Sequence, residues 1–108
     1  MPIMQKRKLG KSGIEVSEIG LGCWQLGGDF GPLGNERAQE ILRAADRSGI
    51  DFWDTADVYG KGHSEAILGD WLHERGGRHG LVLATKYCGS LHSGDPNAGG
   101  ASRKSIVF

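Results

Sequence analysis

The tract Asp51-Phe52-Trp53-Asp54-Thr55-Ala56-Asp57-Val58-Tyr59-Gly60 carries a short apolar run to a carboxylate, then turns to a tyrosine and a glycine. A second tract, Leu81-Val82-Leu83-Ala84-Thr85-Lys86, is apolar until it ends on a lysine. A carboxylate, a phenol and an ammonium are the parts of a proton-donating site. A phenol, with an ordinary pKa of about 10, is a weak donor near neutrality. A cation held beside it stabilises the phenolate, and a carboxylate can fix that cation. Each residue alone has a plainer reading. Asp54 could be a turn former, Tyr59 a packed loop aromatic and Lys86 a solvated strand end. Their conjunction at the ends of neighbouring strands is what points to chemistry.

The elements that must position these groups can be read from periodicity. Arg7–Leu9 and Ile14–Val16 flank Gly10-Lys11-Ser12-Gly13, a hairpin signal. Ile19–Trp24 reads as a first buried strand. Asn35 is placed to cap a helix whose Ala38, Ile41, Leu42 and Ala45 share one face, with Gly49 as its stop. Ile50–Asp54 is a second strand, and alternation sets Ile50, Phe52 and Asp54 on one side and Asp51 and Trp53 on the other. Ser64 is expected to cap a second helix with Ala66, Ile67, Trp71 and Leu72 as its apolar stripe, ending near Gly76-Gly77. Leu81–Lys86 is a third strand, with Val82, Ala84 and Lys86 on one side. Strands alternating with helices over short connections imply a parallel sheet built by crossovers.

Asp-Thr-Ala-x-x-Tyr-Gly followed by a strand ending in Thr-Lys resembles the aldo-keto reductases, NAD(P)H-dependent enzymes that reduce carbonyls on a (β/α)8 barrel. Gly20-Leu21-Gly22-Cys23-Trp24 and Gly62-His63-Ser64-Glu65-Ala66-Ile67-Leu68-Gly69 strengthen that resemblance. It implies an N-terminal hairpin plus the first three β-strands and two helices of a (β/α)8 TIM barrel, incomplete, with residues 1–108 as one partial domain. It implies catalytic roles for Asp54, Tyr59 and Lys86. Tyr59 is the general acid, Lys86 lowers its pKa, and Asp54 orients Lys86. Cys23, Trp24 and Asp54 fall where such a chain meets the nicotinamide end of NADP(H). A small-molecule carbonyl is the implied substrate. The family's histidine at the end of the fourth strand has no counterpart, since His63, His73, His79 and His92 all precede that strand. The alternatives are a non-catalytic binding subunit resembling the potassium-channel β subunits, or a fragment with no independent role.

Composition fits this reading and excludes others. The chain has 108 residues, against about 250 for a whole barrel. Ser102-Arg103-Lys104-Ser105-Ile106-Val107 reads as the first turn of a third helix, so the expectation is a chain truncated before the fourth strand. Alone it is expected to be inactive and to self-associate through open sheet edges. Net charge is zero and Lys6-Arg7-Lys8 is the only basic cluster, so neither nucleic acid nor membrane is an expected partner. Gly20-x-Gly22 is not a dinucleotide fingerprint, because Gln25 stands at its third glycine and the following residues are loop by composition. The histidines and two isolated cysteines form no metal-ligand spacing. Free thiols and the lack of a leader make the cytoplasm the expected compartment.

Overall fold

The computed structural model describes residues 3–28, 33–88, 94–96 and 99–103. The hairpin comes first. β1 (Lys6–Lys8) and β2 (Glu15–Ser17) pair antiparallel with Lys6 opposite Ser17. Gly10 and Gly13 take the positive φ angles of 56° and 80° that the turn between them needs. The hairpin docks on Asp51, just before the central strand of the main sheet. Ser17 N–H donates to Asp51 Oδ1 at 2.7 Å, Asp51 N–H donates back to Ser17 Oγ at 3.0 Å, and Lys6 pairs with the same carboxylate. It therefore sits at the opposite end of that strand from Asp54.

The main sheet is parallel, with β3 (Leu21–Gly22), β4 (Phe52–Asp54) and β5 (Val82–Ala84) in sequence order. Its register sorts the two faces. Leu21, Trp53 and Leu83 lie in one row, and Gly22, Asp54 and Ala84 in the next. The first row meets the helices α1 (Asn35–Arg47) and α2 (His63–Arg75), forming a core with Cys23, Leu26, Ala38, Leu42, Ala45, Ile67, Leu68, Trp71, Leu72 and Leu81. Trp53 is fully buried at its centre, with its ring 5.1 Å from that of Trp71 and its indole N–H donated to Ile50 O at 2.8 Å. Burying an indole is tolerable there because its one donor is satisfied. The second row faces away from the helices. Phe52, Val82 and Ala84 on that side are only half-buried.

Helix α1 stops as expected. Gly49 at φ 82° gives its N–H to Asp46 O and Ile50 gives its N–H to Ala45 O, the paired bonds of a Schellman ending. Arg75 ties the helix ends together through two bonds to Asp46, at 2.8 and 2.9 Å, while its guanidinium lies over Trp71. None of the described helices is long and apolar enough to cross a membrane.

Five expectations need correction. Ile50 lies ahead of β4 and packs against the helix-side core instead of sharing the side of Phe52 and Asp54. The first strand pairs only over Leu21–Gly22; Ile19 is exposed and Trp24 already belongs to a 3₁₀ turn, Trp24–Gly27. The glycines of this strand have no side chains to hold it on the helices, and the chain leaves the ladder once Cys23 N–H has bonded Asp54 O. Asn35 is the first residue of α1, not its cap, and Gly34 takes that place. Ser64 lies inside α2, whose cap is Gly62, and its hydroxyl is spent elsewhere. Leu68, rather than Ala66, completes the buried stripe, because Ala66 faces solvent. Residues 29–32, His92 and most of the tract read as a third helix lie outside the described residues.

Candidate active site

Asp54 ends β4 and Lys86 follows β5 by two residues, on the same side of the sheet as Ala84 and Asp54. The short distance between adjacent strands does the rest. Lys86 Nζ donates to Asp54 Oδ1 at 2.6 Å, to Thr55 O at 2.8 Å and to the Tyr59 hydroxyl oxygen at 3.3 Å. An ammonium has three hydrogens, and each has an acceptor here. The bond to Asp54 foremost, and that to Tyr59, raise the Lys86 pKa above its ordinary 10.5. The group is cationic at any physiological pH. Asp54 and Lys86 side chains are each 50% exposed, so the cluster faces an opening and not the helix-side core.

Tyr59 reaches the lysine from a turn, not a strand. Residues Gly60, Lys61 and Gly62 all have positive φ, at 57°, 56° and 94°. Lys61 is a non-glycine residue in the left-handed region, which costs about 1–3 kcal/mol and persists only where the surroundings enforce it. This left-handed run folds the chain back so that Tyr59 stacks on Trp24, ring centroids 5.8 Å apart and planes 23° from parallel. The ammonium of Lys86 lies 5.1 Å from the Tyr59 ring centre, close enough for a cation–π attraction as well.

Cys23 belongs to the framework. Its side chain is fully buried. Burial, with the Asp54 charge nearby, pushes the thiol up to about 12. Its N–H donates to Asp54 O at 2.8 Å and its carbonyl accepts from Ser64 Oγ at 2.8 Å. The Ser64 hydroxyl hydrogen is used there, so Thr55 must donate the 3.0 Å bond between Thr55 Oγ1 and Ser64 Oγ. Three buried polar residues thus join the ends of β3 and β4 to the start of α2. Through Thr55, whose carbonyl receives Lys86, this network holds the catalytic-looking trio.

The structure therefore brings Asp54, Tyr59, Lys86 and Trp24 together and places the Cys23 thiol behind them. Thr55 and Ser64 were not singled out as site residues from the sequence. Thr55 follows Asp54 directly, a position from which a main-chain acceptor could have been suspected; nothing in the sequence marks Ser64 as buried.

Comparison with known proteins agrees with this geometry. Residues 18–107 match the model of the Aldo/keto reductase family. An uncharacterized oxidoreductase of Bacillus subtilis (strain 168) is 46% identical over 83 residues, 77% of this chain and 25% of that protein. A probable voltage-gated potassium channel subunit beta of Arabidopsis thaliana is 39% identical over 106 residues, 96% of this chain and 31% of that protein. Among solved structures, the holo form of an aldo-keto reductase from Bacillus halodurans superposes with a TM-score of 0.72 at 38% identity, covering 86% of this chain and 29% of that one. The chain spans about a quarter to a third of the length of these relatives.

Proposed function

The chain belongs to the aldo/keto reductase family, whose solved members are (β/α)8 barrels, and from that premise we propose that it is the N-terminal portion of an NADPH-dependent enzyme reducing aldehydes and ketones to alcohols. The observation that carries this is the three-way hold on Lys86, which leaves one ammonium hydrogen on the Tyr59 oxygen. When a carbonyl oxygen gains negative charge, the Tyr59 hydroxyl gives it a proton. Lys86 donates to the phenol oxygen and stabilises the charge that then appears there. Asp54 and the Thr55 carbonyl keep the ammonium from swinging into water. NADPH, when bound, supplies the hydride.

The residues present suit the reactive end of such a cofactor. Asp54 Oδ2 has no hydrogen-bond partner among the described residues, so it can accept from a ribose hydroxyl; the half-exposed Trp24 offers a flat apolar face. Cys23 contributes as a buried support for that turn. A cytoplasmic setting suits its free thiol and that of Cys88. Reduction is proposed for a barrel in which the remaining strands are present, and not for residues 1–108 alone.

The test is Tyr59→Phe in a complete barrel carrying these residues. Turnover should fall by about 10²–10⁴-fold, the usual worth of a positioned acid, with NADPH binding retained. Near-normal turnover would overturn the assignment. The Arabidopsis relative favours a second reading, a nucleotide-binding partner subunit. In that case the unmodified barrel would bind NADPH and reduce none of a panel of aldehydes and ketones.

A further inference from the structure

The 3₁₀ turn Trp24–Gly27 and the turn that follows Tyr59 touch through bare backbone. A β-carbon added at Gly27 would lie 2.7 Å from Gly60 Cα, 2.9 Å from Gly60 N and 3.1 Å from Tyr59 O. One added at Gly60 would lie 2.5 Å from Gly27 O, 2.6 Å from Gly27 Cα and 2.8 Å from Gly27 C. All of these neighbours are main-chain atoms, so no flexible side chain can yield. The left-handed φ of 57° at Gly60 favours glycine as well, though Lys61 shows that it does not by itself require it. Gly27 does not have a positive φ, so the contact alone excludes a side chain there.

The two turns carry the stacked pair. Trp24 opens the first and Tyr59 directly precedes Gly60. The Tyr59 oxygen is 3.3 Å from Lys86 Nζ, near the outer limit of a hydrogen bond. Relieving a 2.7 Å clash to ordinary contact separates the turns by about 0.7 Å. That displacement is enough to lift the phenol off the ammonium. We propose that the Gly27–Gly60 backbone contact is a clamp that positions the Tyr59 hydroxyl on Lys86, making both glycines positioning residues for proton donation. The proposal rests on the reductase reading above, and its test separates the two.

In a complete barrel carrying these residues, kcat, KM for a carbonyl and Kd for NADPH are measured for Gly27→Ala, Tyr59→Phe and the double variant. Gly69→Ala serves as control, since a β-carbon there meets nothing within 4 Å. Gly27→Ala should lower kcat by about 10–10²-fold, as sub-ångström misplacement of a reacting group does. Its NADPH Kd should change far less than its kcat, and it should add nothing to the loss of kcat once Tyr59→Phe is in place. Wild-type kcat in Gly27→Ala, with Tyr59→Phe inactive, overturns the clamp and leaves the reductase reading standing. Full activity in Tyr59→Phe overturns the reductase reading. The clamp is then judged by NMR of ring-labelled tyrosine. The Tyr59 ring-current shift from Trp24 should collapse in Gly27→Ala while the Trp53 indole N–H stays put; a retained Tyr59 shift refutes it. Should Gly27→Ala fail to fold, the unmodified protein decides. Nuclear Overhauser contacts between the Gly27 and Gly60 α-protons support the clamp, and their absence overturns it.

Discussion

Replacing Lys86 by methionine keeps an unbranched side chain, one atom shorter, and removes its three hydrogen bonds, to Asp54, Thr55 O and Tyr59. The consequences for stability and for catalysis should part company. Lys86 and Asp54 are half exposed, and an exposed ion pair of this kind contributes only about 0–1 kcal/mol. The melting temperature of a complete barrel should therefore move little. In the proposed reaction, however, the bond to the Tyr59 oxygen strengthens as the phenol loses its proton. A hydrogen bond to a charged group contributes about 1.5–3 kcal/mol, equivalent to roughly 10–10²-fold in rate. Solvent access to the ammonium favours the lower part of that range.

The decisive form is a double-mutant cycle on kcat, followed by loss of nicotinamide absorbance. If Lys86 acts through the phenol, adding Lys86→Met to Tyr59→Phe should change kcat by no more than about twofold, the usual scatter of independent effects. A Lys86→Met loss of equal size with and without Tyr59→Phe would refute the pairing. It would mean that the ammonium acts directly on substrate or cofactor. The acid-base behaviour of the lysine gives a further check. Because its pKa lies above 10.5, the ammonium persists as pH rises through neutrality, so a loss of activity setting in well below pH 10.5 must come from another group.

Two more outcomes follow from the buried network. Ser64→Ala leaves the buried Thr55 hydroxyl without its partner, while the Cys23 carbonyl keeps the Leu26 N–H at 3.2 Å; a chemical denaturation series on a complete barrel should show a loss of about 1–3 kcal/mol, and a loss below about 0.5 kcal/mol would mean the site is wet. Iodoacetamide at pH 8 should label exposed Cys88 and spare Cys23, whose thiol is raised from 9.0 to about 12. Since the fold favours the protonated thiol, its stabilising effect is complete below pH 9 and is lost as pH rises from 9 towards 12. A melting temperature flat across that alkaline range would contradict the burial.

The fold and part of the site were legible for one shared reason: strand alternation is rigid. Placing Lys86 with Ala84, and Asp54 with Phe52, needs only a period of two, and the register Asp54 opposite Ala84 bears it out. Helix α1 was legible because its apolar face and its glycine stop agree. Ser64 was misread because a serine ahead of an apolar stripe has the local pattern of a cap, whereas its real partners, Thr55 and Cys23, are nine and forty-one residues away. The stacking of Tyr59 on Trp24 was illegible too. It depends on three successive positive φ angles, one of them at a lysine, and on a contact between two glycines distant in sequence. Propensity cannot supply either.

That contrast divides the labour within the site. The cation and its carboxylate are fixed by neighbouring parallel strands, where adjacent ladder bonds such as Thr55 N–H to Ala84 O hold the ends in register. They can be set once and need no further support than the sheet provides. The proton donor of the proposed reaction, Tyr59, rides on a turn and not on a strand. A turn at this position has few ladder bonds of its own and is steadied by contact: Trp24 against the ring, Gly27 against Gly60, and Lys86 at the hydroxyl. Helices α1 and α2 cover the face bearing Trp53 and Leu83. The opposite face carries Phe52, Val82 and Ala84 beneath Asp54 and Lys86, and in a closed barrel it is the interior. The same alternation that buries Trp53 therefore aims Asp54 and Lys86 at the barrel mouth.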